Sequence, residues 1–189
     1  MNNFRLLPTL AILALALSAC SKEPSNDDVA MTVHEAMTEH VDVIADEVWA
    51  IGNESIADNA LIDNALMDDA KWAKLADAAT RLQGAATDLG GFERYVVNRP
   101  GVTISDEDVP GGTTSEVVQK HINSNTDDFR GMAHALAAHA GDIAAAAKAH
   151  DGAQAGKLIG QLDGVCESCH LEFWYPQQRE LVEAAMKNT

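Results

Sequence analysis

The sequence predicts an all-α protein, an antiparallel four-helix bundle. Three observations carry that prediction. Apolar residues recur at helical 3–4 spacing in four long segments, and no segment sustains the alternation of a strand. Alanine is abundant while aromatics make up 5% of the 189 residues. Near the C-terminus stands Cys166-Glu167-Ser168-Cys169-His170, a C-x-x-C-H run. Two thiols at that spacing can add to the two vinyl groups of one haem, and the adjacent imidazole can reach the iron. Competing readings are half of a zinc site, which needs a second ligand pair, a thioredoxin-like dithiol, which needs a βαβ context, and coincidence.

The elements follow in chain order. Residues 1–19 carry Arg5, then the apolar run Leu10 to Leu17, then Ser18-Ala19-Cys20. The run is too short to span a bilayer and ends in small residues, so it reads as a secretory signal. Leu17-Ser18-Ala19-Cys20 resembles a bacterial lipobox, with Cys20 as the lipidation site; the alternative is an ordinary signal with a coincidental cysteine. Lipidation accounts for the odd cysteine in an oxidising compartment. By bacterial sorting rules Ser21, in place of an Asp, favours the outer membrane. Residues 20–28 read as a tether and 29–189 as the folded domain. Without its leader the chain has about 170 residues, the size of one domain. Losing Arg5 takes the formal charge from −16 to about −17. That field repels nucleic acid and anionic membrane surfaces and favours basic partners or plain solubility.

The first helix runs from about Val29 to Ile51 and stops at Gly52-Asn53, with an inward stripe of Ala30, Val33, Met37, Val41, Ile44, Val48 and Ile51. Residues 53–67 form an entry into the second helix, Asp68 to Leu89, whose stripe is Trp72, Leu75, Ala79, Leu82, Ala86 and Leu89. Gly90-Gly91 ends it. Pro100-Gly101 and Pro110-Gly111-Gly112 mark residues 91–113 as a long irregular connection. After a short turn around Ser115–His121, the third helix starts at Thr126, read as its N-cap, with Asp127 and Asp128 in the first turn. It runs to about His150 on Phe129, Met132/Ala133, Leu136, Ala140, Ile143 and Ala147. The fourth follows Asp151-Gly152, carries Leu158, Ile159, Leu162 and Val165, and continues through the C-x-x-C-H run to Tyr175, where Pro176 interrupts it. Bundles of this kind hold cofactors between facing helices.

Four helices in this order, a haem motif on the last, Met on the inward face of the first, and Phe173-Trp174 after the histidine resemble the class II c-type cytochromes. That family includes cytochrome c′ and the low-spin cytochrome c556 type. The resemblance implies one covalent haem c on Cys166 and Cys169, with His170 as proximal iron ligand. In low-spin members a Met of the first helix binds the other face; in cytochrome c′ that face is apolar and the iron five-coordinate. Met37 lies at the centre of the apolar stripe, with His34 and His40 roughly 60° to either side at about 100° per residue. Met37 is therefore the leading candidate for the distal ligand, with His34, His40 or no protein ligand as alternatives. A Met on an apolar stripe also fills cores.

The expected function is a periplasmic, membrane-tethered mono-haem electron carrier, not an enzyme, since no distal acid–base pair is recognisable. The alternative is a protein that binds nitric oxide or carbon monoxide at an open or displaceable distal site. Expected partners are redox proteins and the membrane through the lipid; many relatives also pair two bundles as a homodimer. One departure stands out. The first helix has no Lys or Arg, and none directly follows His170, so partners for the haem propionates must lie elsewhere; Arg94 and Arg99 are candidates, with plain solvent-facing arginines the favoured alternative. His121, His134, His139 and His150 read as surface residues, and Trp49 and Trp72 as core or haem-flanking aromatics.

Overall fold

The computed structural model describes residues 28–57, 61–105, 107–108, 112–179 and 184. The leader, Cys20 and most of the tether lie outside them. Six α-helices are described: α1 Val33–Ala36, α2 Asp42–Asn53, α3 Asp69–Gly90, α4 Ser115–Ser124, α5 Thr126–Lys148 and α6 Gly152–Cys169. A π-helical turn, Met37–Val41, joins α1 to α2, and a second, His170–Trp174, extends α6. Among the described residues there is no strand, only an isolated bridge between Ile56 and Ile62, and no helix is long and apolar enough to cross a membrane.

Helices α1, α3, α4 and α6 begin where short polar side chains satisfy their first N–H groups. The Thr32 hydroxyl accepts from Glu35 N–H while the Glu35 carboxylate accepts from Thr32 N–H, a capping box. Asp68 caps α3 through Lys71 N–H, and Asp151 caps α6 through Gln154 N–H. Thr126 does not cap α5: Asn125 occupies that position without a side-chain bond, and the Thr126 hydroxyl donates back to Ile122 O. The first helix starts at Val33 rather than Val29, because the capping box fixes its beginning.

Antiparallel packing follows from which ends meet. Trp72, at the start of α3, stacks on His150 beyond the end of α5, with ring centroids 5.3 Å apart. At the other end, a Cβ on Gly90 of α3 would come within 2.7 Å of the His134 ring of α5. Phe129 at the start of α5 meets Phe173 beyond the end of α6 edge-on at 5.1 Å. Gly52 at the end of α2 lets Ile159 of α6 approach to 3.1 Å of where its Cβ would stand. The predicted stripe of the second helix is buried at all six positions, and that of the third at all but half-buried Met132. The first helix is rotated from its expected stripe. Ala36, Ala45 and Gly52 are buried with Val33, Val41 and Val48, whereas Ala30 is exposed and Ile44 and Ile51 half-buried. Small residues win those positions because they let α2 lie close to α3 and α6.

The described part of the 91–113 connection is a wall of the molecule. Tyr95, Val96, Val97 and Ile104 are buried. Val96 O and Val97 O accept from Val33 N–H and His34 N–H, both at 2.8 Å. On the other side Gln119 of α4 accepts from Val97 N–H and donates to Tyr95 O. The expected turn at Ser115–His121 is the ten-residue α4, with Val118 and Ile122 fully buried.

Candidate functional site

The interior divides into two apolar clusters. One fills the bundle's body around Val48, Leu75, Leu82, Ile143 and Leu162. The other, around Leu89, Tyr95, Val118, Ile122, Phe129 and Phe173, fills the end where α6 finishes. Cys166 packs against the first and Cys169 against the second, while Met37 touches both. The C-x-x-C-H run therefore lies at the seam between them.

Two cavities open at that seam. The larger, about 290 Å³, is lined by the apolar side chains of Val33, Met37, Val118, Ile122, Phe129 and Phe173, together with Cys169, His170, His34, Thr38, Asp42, Ser105 and Tyr175. The smaller, about 30 Å³, lies between Leu89, Met132, Leu136, Val165 and Cys166. Met37, Asp42, Phe129, Cys169 and His170 line both. This is the lower end of the size range of cofactor pockets, about 300–1,000 Å³.

Both π-turns belong to this site. Asp42 N–H donates to Met37 O, and Tyr175 N–H to His170 O at 2.9 Å, each a bond across five residues. The extra residue in each turn shifts the helical phase, so that Met37 and His170, which open the two turns, reach the same cavities. Turns of this kind are concentrated at functional sites.

Burial keeps both thiols of the cysteine pair neutral. Burial, then the nearby Asp42, pushes the Cys166 thiol up to about 11. Burial, then Cys166 itself, pushes Cys169 up to about 12. A redox dithiol works as thiolate and sits where its pKa is lowered. Among the described residues, no three His, Cys, Asp or Glu side chains group as a metal site. Neutral thiols facing an apolar cavity, beside an imidazole, fit the thioether attachment and axial ligation of a haem. Partial desolvation raises the Asp42 carboxyl, against the opposing pull of His170 and His34.

The other candidates fall in several places. His34 lines the larger cavity. His40 lies on the groove between the first helix and α3, beside Arg81 and Asp88, away from His170. Arg99 forms a two-pronged ion pair with Glu35, at 2.6 and 3.0 Å, and neither it nor Arg94 lines either cavity. His121 and His139 are not simple surface residues: both are half-buried, with ring nitrogens 3.2 Å from Phe173 O and 2.8 Å from Leu158 O. His134 and His150 are exposed. Trp72 is core at the far end of the bundle, and Trp49 lines a separate cleft with Gly52 and Ile159. Sequence reasoning missed Tyr175, although its five-residue spacing from His170 was visible, and missed the cavity wall given by Val118 and Ile122.

An all-α bundle with two cavities at this seam defines a helical protein whose cysteine- and histidine-lined site stands at the end of α6. Residues 105–174 match the family model described as Cytochrome C′. The match runs over α4, α5, α6 and the second π-turn, and supports a haem-binding cytochrome of class II type. No curated protein and no solved structure matches the chain significantly.

Proposed function

We propose that the chain is a mono-haem c-type cytochrome that carries single electrons, with Cys166 and Cys169 as thioether anchors, His170 as proximal ligand and Met37 as distal ligand. The observation that carries this reading is the shared lining: Met37, Cys169 and His170 border both cavities at the seam. The family match does not reach the first helix, so Met37 rests on that placement and on its position in the helix. Bound haem supplies a one-electron iron couple. The residues around it exclude water through Val33, Val118, Ile122, Phe129 and Phe173, and hold its ligands in fixed directions. Thioether–imidazole ligation raises the reduction potential, which suits a carrier. The π-turn at Met37–Val41 aims the thioether, and the capping box with the Glu35–Arg99 pair anchors that turn to the 95–99 segment.

The same reading places the mature protein in the periplasm, tethered through lipid on Cys20, with redox proteins as partners. A homodimer of bundles and anchoring to the outer membrane belong to the proposal too. Absorption and magnetic circular dichroism spectra of the purified holoprotein test the ligation. A low-spin spectrum with a thioether–iron charge-transfer band, lost in Met37→Ala, is expected. A high-spin spectrum unchanged by that substitution overturns the carrier reading and favours a binding site for nitric oxide or carbon monoxide.

A further inference from the structure

The proximal side of the site contains a connection that the ligand assignment does not use. The π-turn ends α6 by bonding Tyr175 N–H to His170 O, and Tyr175 then leaves the helix with φ −134° and ψ 59° ahead of Pro176. This brings the phenol back over the histidine, with ring centroids 5.8 Å apart and planes inclined by 57°. The Tyr175 hydroxyl lies 3.4 Å from His170 Nδ1 and 2.6 Å from Glu167 Oε2. Glu167 is one of the two variable positions inside the C-x-x-C-H run, almost one helical turn before the histidine.

The chemistry of the three groups assigns each proton. An imidazole that gives Nε2 to a metal carries its proton on Nδ1. A phenol can accept one hydrogen bond and donate another, and an ionised carboxylate only accepts. The single consistent arrangement is therefore His170 Nδ1–H donating to Tyr175 Oη, and Tyr175 Oη–H donating to Glu167. The short Tyr175–Glu167 bond has the length of a charge-assisted one, and it polarises the phenol so that its oxygen accepts more strongly. The last turn of α6, the π-turn and Tyr175 are all needed for this closure. With an ordinary α-helical ending, the phenol would not be set against Nδ1 by the five-residue bond.

From this geometry we infer that Tyr175 and Glu167 are positioning residues for the proximal histidine. They form a carboxylate–phenol–imidazole relay that fixes the orientation of His170 and makes it a stronger electron donor to the iron, lowering the reduction potential. The inference rests on haem ligation by His170. Outer-shell partners of metal-bound histidine orient the ring and raise its basicity. Stronger donation stabilises the ferric state over the ferrous, opposite in sign to the effect of the Met37 thioether.

The test measures midpoint potentials of the wild-type holoprotein, Tyr175→Phe and Glu167→Gln, together with the exchange of the His170 Nδ1–H proton by NMR. Tyr175→Phe removes both bonds while keeping the ring. Glu167→Gln keeps an acceptor but removes the charge, so it serves even where Tyr175→Phe loads haem poorly. Both variants are expected to raise the potential, Tyr175→Phe by about tenfold in the ferric-to-ferrous balance, about 59 mV for one electron. Tyr175→Phe also speeds exchange of the Nδ1 proton. Loaded variants with unchanged potentials and unchanged exchange overturn the relay and leave the haem assignment standing. A wild-type protein without covalent haem overturns both, so the two failures are distinguishable.

Discussion

Substituting Gly156 by alanine tests how the helix that carries the haem motif is seated. A Cβ at Gly156 would stand 2.7 Å from Ile62 N and 3.0 Å from Leu61 Cα, atoms of backbone that cannot swing aside like the end of a side chain. At Gly160, one turn further along the same helix, nothing lies within 4 Å. Alanine gains about 0.5–1 kcal/mol over glycine inside a helix at either position. At Gly156 that gain is set against overpacking, which costs about 1–3 kcal/mol. Gly160→Ala should therefore stabilise the protein by the full helix gain, and Gly156→Ala should destabilise it by the difference, up to about 2.5 kcal/mol. For a domain of this size about 1 kcal/mol moves Tm by about 2–4 °C. The two variants should thus separate by several degrees, in opposite directions from wild type, when unfolding is followed by far-UV circular dichroism. Equal shifts of the same sign would refute the reasoning, because they would mean that the 61–62 backbone does not press on α6.

Three further outcomes follow from the same contacts. Arg99, then the Thr32 N–H, holds the Glu35 carboxyl below its ordinary 4.5. A lowered folded-state pKa gives stability that is present above the unfolded value and lost as pH falls through the folded one. Glu35→Gln should cost about 1 kcal/mol at pH 7, and urea titrations at pH 7 and pH 3 should show the gap from wild type closing at the acid end. Phe129, buried and edge-on to both Tyr95 and Phe173, should lose about 3–5 kcal/mol as Phe129→Ala and broaden the haem spectrum by opening the cavity wall; an unaltered Tm counts against its place in the core. Finally, a formal charge of −16 makes the folded chain repel itself. Raising salt from 10 to 150 mM shortens the screening length from about 30 to about 8 Å, so calorimetry should show Tm rising, and a fall would contradict the role given to net charge.

Much of this was legible in the sequence because the signals are local. The stripes of the second and third helices needed only periodicity, and the haem motif needed only its spacing. The start of the first helix was misread at Val29 although its signal was present, since Thr32-Val33-His34-Glu35 is a capping box. The buried face of that helix was not legible. Which side of a helix turns inward depends on how closely its neighbours approach, and Ala36, Ala45 and Gly52 displace larger residues only once α3 and α6 are in place. The π-turns leave no periodic mark, since one inserted residue shifts phase without changing composition. They nonetheless decide where Met37, His170 and Tyr175 point. The pairing of Arg99 with Glu35 spans 64 residues, and nothing in either segment announces the other. Buried Tyr95-Val96-Val97 did carry a signal, an apolar run inside a supposedly irregular connection.

The central claim is that Cys166, Cys169 and His170 hold one haem covalently, and the most direct test is a mass measurement of the denatured protein. Produced in a host that attaches haem c, the wild-type chain should carry the mass of one haem through denaturation and acidic acetone extraction. Cys166→Ser combined with Cys169→Ser should release it. A wild-type chain at its bare polypeptide mass, or one whose haem is extracted by acid acetone, would contradict the account.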